Sequence, residues 1–141
     1  MDDIDSVMRL HRLGAVDAPD EESAPPPELV VEGEPTFRTR VTYQAPDGRL
    51  FAGVWSATPG AWRVAYDEWE WCRLSAGRCV LTPDGGAPQT YGPGDAIVIE
   101  PGFKGVWTVV EACEKDFVVL LPPSADAPED EAADDKATDN D

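Results

Sequence analysis

The sequence predicts an all-β fold, an antiparallel sandwich or barrel, and three observations lead there. Apolar residues recur with a period of two in short runs. The runs end in turn chemistry such as Ala45-Pro46-Asp47-Gly48, Thr58-Pro59-Gly60, Asp84-Gly85-Gly86 and Gly92-Pro93-Gly94-Asp95. About nine of them fit into about 90 residues, without a convincing helix among them.

Taken in order, residues 2–13 place Ile4, Val7, Met8 and Leu10 on one helical face, with aspartates where a helix N-terminus favours them, so a short helix is expected there. From Ala15 to Pro27 the composition turns to Asp, Glu, Ala and Pro, which reads as a linker. Strands are expected near Val30, over Thr36 to Gln44, Arg49 to Ala57 and Trp62 to Tyr66. Glu70 to Ser75 and Arg78 to Thr82 follow as a hairpin, with Ala76-Gly77 as its two-residue turn because glycine supplies the positive φ. The last strands are Gln89 to Tyr91, Ala96 to Glu100, Gly105 to Glu111 and Lys115 to Leu121. The resulting division is an acidic Pro-rich segment over 1–32, a barrel over 33–122 and a disordered acidic tail over 123–141.

The formal charge of −17 is concentrated at the ends. Residues 1–34 carry −8 and residues 124–141 carry −7, against −2 for the stretch between them. An acidity confined to the tails is not the surface of a salt-adapted protein. Nor is there a basic patch, so nucleic acid is excluded as a partner. No apolar run approaches the roughly 20 residues of a membrane span. The acidic N-terminus is unlike a secretion signal, which gives a cytoplasmic expectation and no membrane partner. Three cysteines without CxxC spacing read as free thiols.

Chemical interest centres on Ala61 to Val80. Alternation puts Tyr66, Glu68, Glu70, Cys72 and Leu74 on one face, and Glu70 sits among Trp62, Trp69, Trp71 and Tyr66. A buried carboxylate costs several kcal/mol unless it is paired, hydrogen-bonded or protonated. Tyr66 is one candidate partner, and Arg63 or Arg73 is the other. With an arginine the site is structural. With Tyr66 alone, burial raises the carboxyl pKa and fits it for proton transfer.

The order Gly53-x-Trp55, Pro59-Gly60-x-Trp62-Arg63, Tyr66-x-x-x-Glu70 and Gly77 resembles the first sequence motif of the cupins. Gly92-Pro93-Gly94-Asp95, followed after four apolar positions by Glu100-Pro101-Gly102-Phe103-Lys104-Gly105, resembles their second. More narrowly, the chain is similar to the small cupins grouped with (S)-ureidoglycine aminohydrolase and the ethanolamine-utilisation cupins, from about Gly33 to Leu121.

This resemblance implies a jelly-roll barrel, or double-stranded β-helix, with Glu70, Cys72 and Leu74 facing a cavity. The Ala76-Gly77 turn then pairs Leu74 with Cys79 and Cys72 with Leu81, making the two cysteines diagonal neighbours. Gly105, Trp107 and Val109 face the same cavity, Trp107 filling the gap that Gly105 leaves. Metal-binding cupins ligate through histidines at positions that here are Val64, Tyr66 and Gly105, and the one histidine, His11, lies outside the barrel. No metal and no cofactor are therefore expected.

Three readings follow. The first is a metal-free cupin that binds a small polar metabolite through Trp62, Tyr66, Glu70 and Trp107, with Cys72 and Cys79 beside them and Lys104 at the mouth. The second is a ureidoglycine aminohydrolase-like enzyme with Glu70 as general acid/base and Tyr66 as its partner. The third is a scaffold that acts through its acidic tails. Against all three stands simple core packing of the aromatics. Exposed sheet edges add the expectation of a homodimer.

Overall fold

The computed structural model describes residues 9–13 and 18–123. Nine strands lie among them: β1 (Glu21–Ser23), β2 (Val30–Glu32), β3 (Phe37–Gln44), β4 (Leu50–Ala57), β5 (Gly60–Ala65), β6 (Trp69–Pro83), β7 (Gln89–Tyr91), β8 (Ala96–Ile99) and β9 (Lys104–Leu120). The helix expected over residues 2–13 lies mostly outside the described residues, and its described end, Arg9 to Leu13, is not helical. The acidic tail also lies outside them.

Two long strands organise the molecule. β6 and β9 run antiparallel from Trp69↔Leu120 to Pro83↔Gly105. Beyond β9, strand β4 pairs with its C-terminal half and β5 with its N-terminal half. Beyond β6, strand β8 pairs with its first half and β7 with its second. The result is two half-sheets, β1-β3-β4-β9-β6-β8 and β2-β5-β9-β6-β7, that share the long pair. Aromatic contacts show that they fold over on each other. Phe37 of the first half meets Trp62 of the second at 4.8 Å between ring centroids, and Trp55 meets Trp107 at 5.7 Å. This is the jelly-roll barrel, with its core between the two inner faces.

The expected hairpin at Ala76-Gly77 does not form. β6 continues through it, because its neighbour β9 continues too and supplies hydrogen-bond partners on both sides of the corner. Between Leu74 and Cys79 the register slips, four residues of β6 facing five of β9. Gly77 takes φ 89°, and a Cβ there would run into the backbone of Ala112. The slip changes which parity faces inward on β6. Glu70, Cys72 and Leu74 are buried before it, Cys79 and Leu81 after it. Those four apolar side chains do share an interior, but by a bulge; Leu74 pairs with Lys115 and Cys79 with Val109, not with each other.

The Pro-rich segment is more than a linker. Glu21 to Ser23 forms an edge strand on β3, held by Arg38–Glu22 and Arg40–Asp20 ion pairs at 3.0 Å each, and Pro25 is buried. The strand-forming part therefore begins well before Gly33. Linker composition did not prevent pairing because β3 offered an unpaired edge with two arginines facing the acidic run.

Candidate functional site

Between the half-sheets lies a cavity of about 240 Å³. Its walls are mainly aromatic: Phe37, Trp55 and Phe117 from one half, Trp62 and Trp107 from the other. Trp62 and Trp107, paired across β5 and β9, stack with 14° between ring planes at 6.3 Å. Thr39, Tyr66, Glu70 and Lys115 bring the polar groups.

Glu70 and Lys115 form the centre of this arrangement. Lys115 Nζ donates to Glu70 Oε2 at 2.7 Å, and both side chains are almost wholly buried, at 6% and 7% exposure. The same ammonium lies 4.5 Å from the Trp55 ring centroid and 4.3 Å from that of Trp107. Trp55 is the direct cross-strand neighbour of Lys115, so the register of β4 on β9 places that contact. A cation over two indole faces with a carboxylate on its third side recovers much of the hydration it gave up.

Neither arginine partners Glu70. Arg63 pairs with Asp84 at 3.0 Å, and Arg73 points outward. Sequence reading missed Lys115 because it sits in Glu111-Ala-Cys-Glu-Lys-Asp116, a run that looks solvated. A signal was nevertheless present: alternation from Val119 and Phe117 backward puts Lys115 and Cys113 on the buried face.

The other expected site residues divide. Trp62, Tyr66, Glu70 and Trp107 come together on the cavity wall. Cys72, Cys79 and Lys104 do not. Cys72 is wholly buried behind the pair, and burial pushes its thiol up to about 11 even though Lys115 pulls the other way. Cys79 is wholly buried on the far side of the bulge and contacts Cys113. The proximity of the two thiols raises that of Cys79 and lowers that of Cys113, whose Sγ–H donates to the Glu111 carbonyl at 3.2 Å. Lys104 is exposed at the start of β9 and contributes nothing to the wall. Half-buried Tyr66 lies beside Glu70; desolvation, then the carboxylate, raises its phenol well above its ordinary value, so it stays protonated.

The EutQ-like cupin domain family matches residues 44–117, just over half of the chain. The chain belongs to the EutQ-like cupins. A comparison with curated proteins gives no match. Among solved structures this cupin is similar to a DUF861-family protein of unknown function from Pseudomonas syringae pv. tomato strain DC3000, at 27% identity and TM-score 0.66. That likeness covers 74% of this chain but only 46% of the other, so the cupin spans about half of that relative's length. The EutQ protein of Clostridium difficile is 17% identical with a TM-score of 0.55, covering 61% of this chain and 63% of its own. Ectoine synthase from P. lautus is 15% identical with a TM-score of 0.54, covering 67% and 71%. The last two likenesses concern the fold alone.

The residues present do not fit a transition metal. At the positions that carry donors in metal-binding cupins, Val64 offers hydrocarbon, and Gly105 has no space for any side chain: a Cβ there would collide with the carbonyl of Thr82. That corrects the expectation that Trp107 fills a gap left at Gly105; the β6 backbone already occupies it. Glu70 has the ammonium as its partner. Among the described residues no group of three or more His, Cys, Asp or Glu side chains is placed to hold an ion. What this cupin's cavity can do follows from fixed charges, one phenol and aromatic walls: bind a small molecule, orient it and move a proton.

Proposed function

We propose that this cupin binds a small polar organic molecule in its barrel, against the Glu70–Lys115 pair and the indoles of Trp62 and Trp107. The observation that carries the reading is a charged pair set in the wall of an open aromatic cavity. An ion pair serving stability alone does no better than apolar side chains of like volume, and packed aromatics alone would leave no void. At about 240 Å³ the space is below the roughly 300–1,000 Å³ of drug-sized sites, which points to a small metabolite. A thermal-shift screen of small metabolites tests this: at least one should raise Tm for the parent protein and lose its effect in Glu70→Gln. No shift across neutral, acidic and basic compounds would defeat it.

A second reading rests on Tyr66 beside Glu70. A ureidoglycine aminohydrolase-like reaction would use Glu70 as general acid/base with Tyr66 as its partner, working against the Lys115 ammonium, which favours the charged carboxylate, and against the burial that makes the phenol hold its proton. Turnover of a small nitrogenous substrate that is lost in both Glu70→Gln and Tyr66→Phe would favour this reading; binding without turnover favours the first.

We also propose a cytoplasmic homodimer joined through sheet edges. Supporting it, edge strands β2 and β8 expose Val31 at 57% and Val98 at 52%. Light scattering at micromolar concentration should show twice the monomer mass.

A further inference from the structure

An antiparallel sheet with its core on one side ordinarily turns polar side chains to the other. The second half-sheet does so, with Arg63, Thr82, Thr90 and Thr108 outward. The first does not. Its outward residues stand in successive levels across β4, β9, β6 and β8. Leu120 and Trp69 share one level, and Ala52, Val118, Trp71 and Val98 share the next. Both indoles are only half-buried. The third level is charged, with Asp116 on β9 beside Arg73 on β6, both exposed. None of the ion pairs among the described residues uses either one.

This face is complementary to itself. Two strands lie on each side of the seam between β9 and β6. A two-fold axis along that seam sets each β9 residue against the partner's β6 residue of the same level, and each β4 residue against the partner's β8 residue. Val118 then meets the partner's Trp71, and Leu120 meets the partner's Trp69, a smaller side chain against a larger one each time. Ala52, at 5% exposure, makes a dip for the partner's Val98, which stands out at 52%. Asp116 meets the partner's Arg73, and the symmetry repeats that contact in reverse. Facing sheets pack within about 30° of alignment, which keeps these central levels opposite each other. A strongly acidic or basic partner would find one charge of its own sign here; a second copy matches both.

We infer that a second copy packs face to face on β4-β9-β6-β8, about a two-fold axis along the β6–β9 seam, with Trp71, Arg73 and Asp116 at its centre. This rests on the homodimer reading above and names the surface that joins the copies, with the edge of β8 at its margin. Four strands by three levels cover roughly 400 Å² in plan per copy, at the low end of specific interfaces, so the dimer dissociates on dilution.

Sedimentation velocity of the full chain at pH 7, from about 1 to about 200 µM, tests this. The parent should pass from monomer to dimer over that range, and Trp71→Asp should remain monomeric. Arg73→Glu brings acid against acid across the axis, and Asp116→Arg brings base against base, so each alone should dimerise about tenfold more weakly or worse. Mixed in equal amounts, the two variants should recover a dimer within about threefold of the parent affinity, because every acid then faces a base on the other chain. Both positions are exposed, so these variants keep the fold even where Trp71→Asp does not. A mixture no tighter than its components overturns the two-fold register. A parent dimer left intact by Trp71→Asp and by both charge changes overturns the face while the homodimer reading stands. A parent still monomeric at the highest concentration sinks both, and leaves the face to a different occupant.

Discussion

Replacing Lys115 by methionine isolates the interaction on which the site depends. The substitution keeps the length and most of the volume of the side chain but removes the ammonium, which leaves Glu70 buried at 7% side-chain exposure with no cation at 2.7 Å. Breaking a buried pair from one side costs about 3–5 kcal/mol, because the remaining charge has lost its compensation. For a domain near 100 residues, about 4 °C of Tm accompanies each kcal/mol, so a fall of about 12–20 °C is expected. The double change Glu70→Leu with Lys115→Met removes both charges and should recover most of the loss. The coupling from the full cycle should exceed about 2 kcal/mol. Urea denaturation followed by tryptophan fluorescence reads all four proteins, since Trp55 and Trp107 both face the ammonium. A single variant within about 1 kcal/mol of the parent, or a double variant no better than the worse single one, would show that the pair is solvated in solution and that the charge argument is mistaken.

Other outcomes follow from the same geometry. Gly77→Ala should cost about 2–3 kcal/mol in urea denaturation, since the new Cβ meets the Ala112 backbone at a φ of 89°. Gly105→His, the simplest attempt to restore a metal donor, should give insoluble or strongly destabilised protein with no gain in zinc by elemental analysis, because the Thr82 carbonyl occupies the direction of the side chain. Stability should fall as pH rises from about 9 toward 11. The buried Cys72 thiol keeps its proton up to about 11 in the folded state while the unfolded chain loses it near 9.0, a difference on the order of 2–3 kcal/mol. Tyr66, raised above its ordinary 10.0, adds to that fall at the alkaline end. Cys72→Ala should flatten the decline in urea midpoints measured across that range.

Much of the fold was legible because strand periodicity and turn chemistry are local. The bounds of β3, β4, β7 and β8 follow from alternation closed by Gly, Pro and Asp. β6 and β9 were each read as two strands, since Ala76-Gly77 has hairpin chemistry and a long strand bent by a bulge has no local mark. The candidate site was half legible. Trp62, Tyr66, Glu70 and Trp107 carry their inward orientation in their spacing, but Cys72 and Cys79 show that an inward side chain need not reach a cavity.

By itself, then, the sequence determined where most strand residues lie, the inward faces of Trp62, Tyr66, Glu70 and Trp107, the isolation of acidic charge at the two ends and the absence of histidine from the barrel. Only the tertiary structure decided what stands opposite each inward residue. Glu70 and Lys115 are 45 positions apart; the pairing of β4 and β6 on β9 brings the carboxylate, the ammonium and Trp55 together, and the fold of the other half-sheet over them adds Trp107. A period of two says which way a side chain points; the register of β4 and β6 on β9 says what it meets.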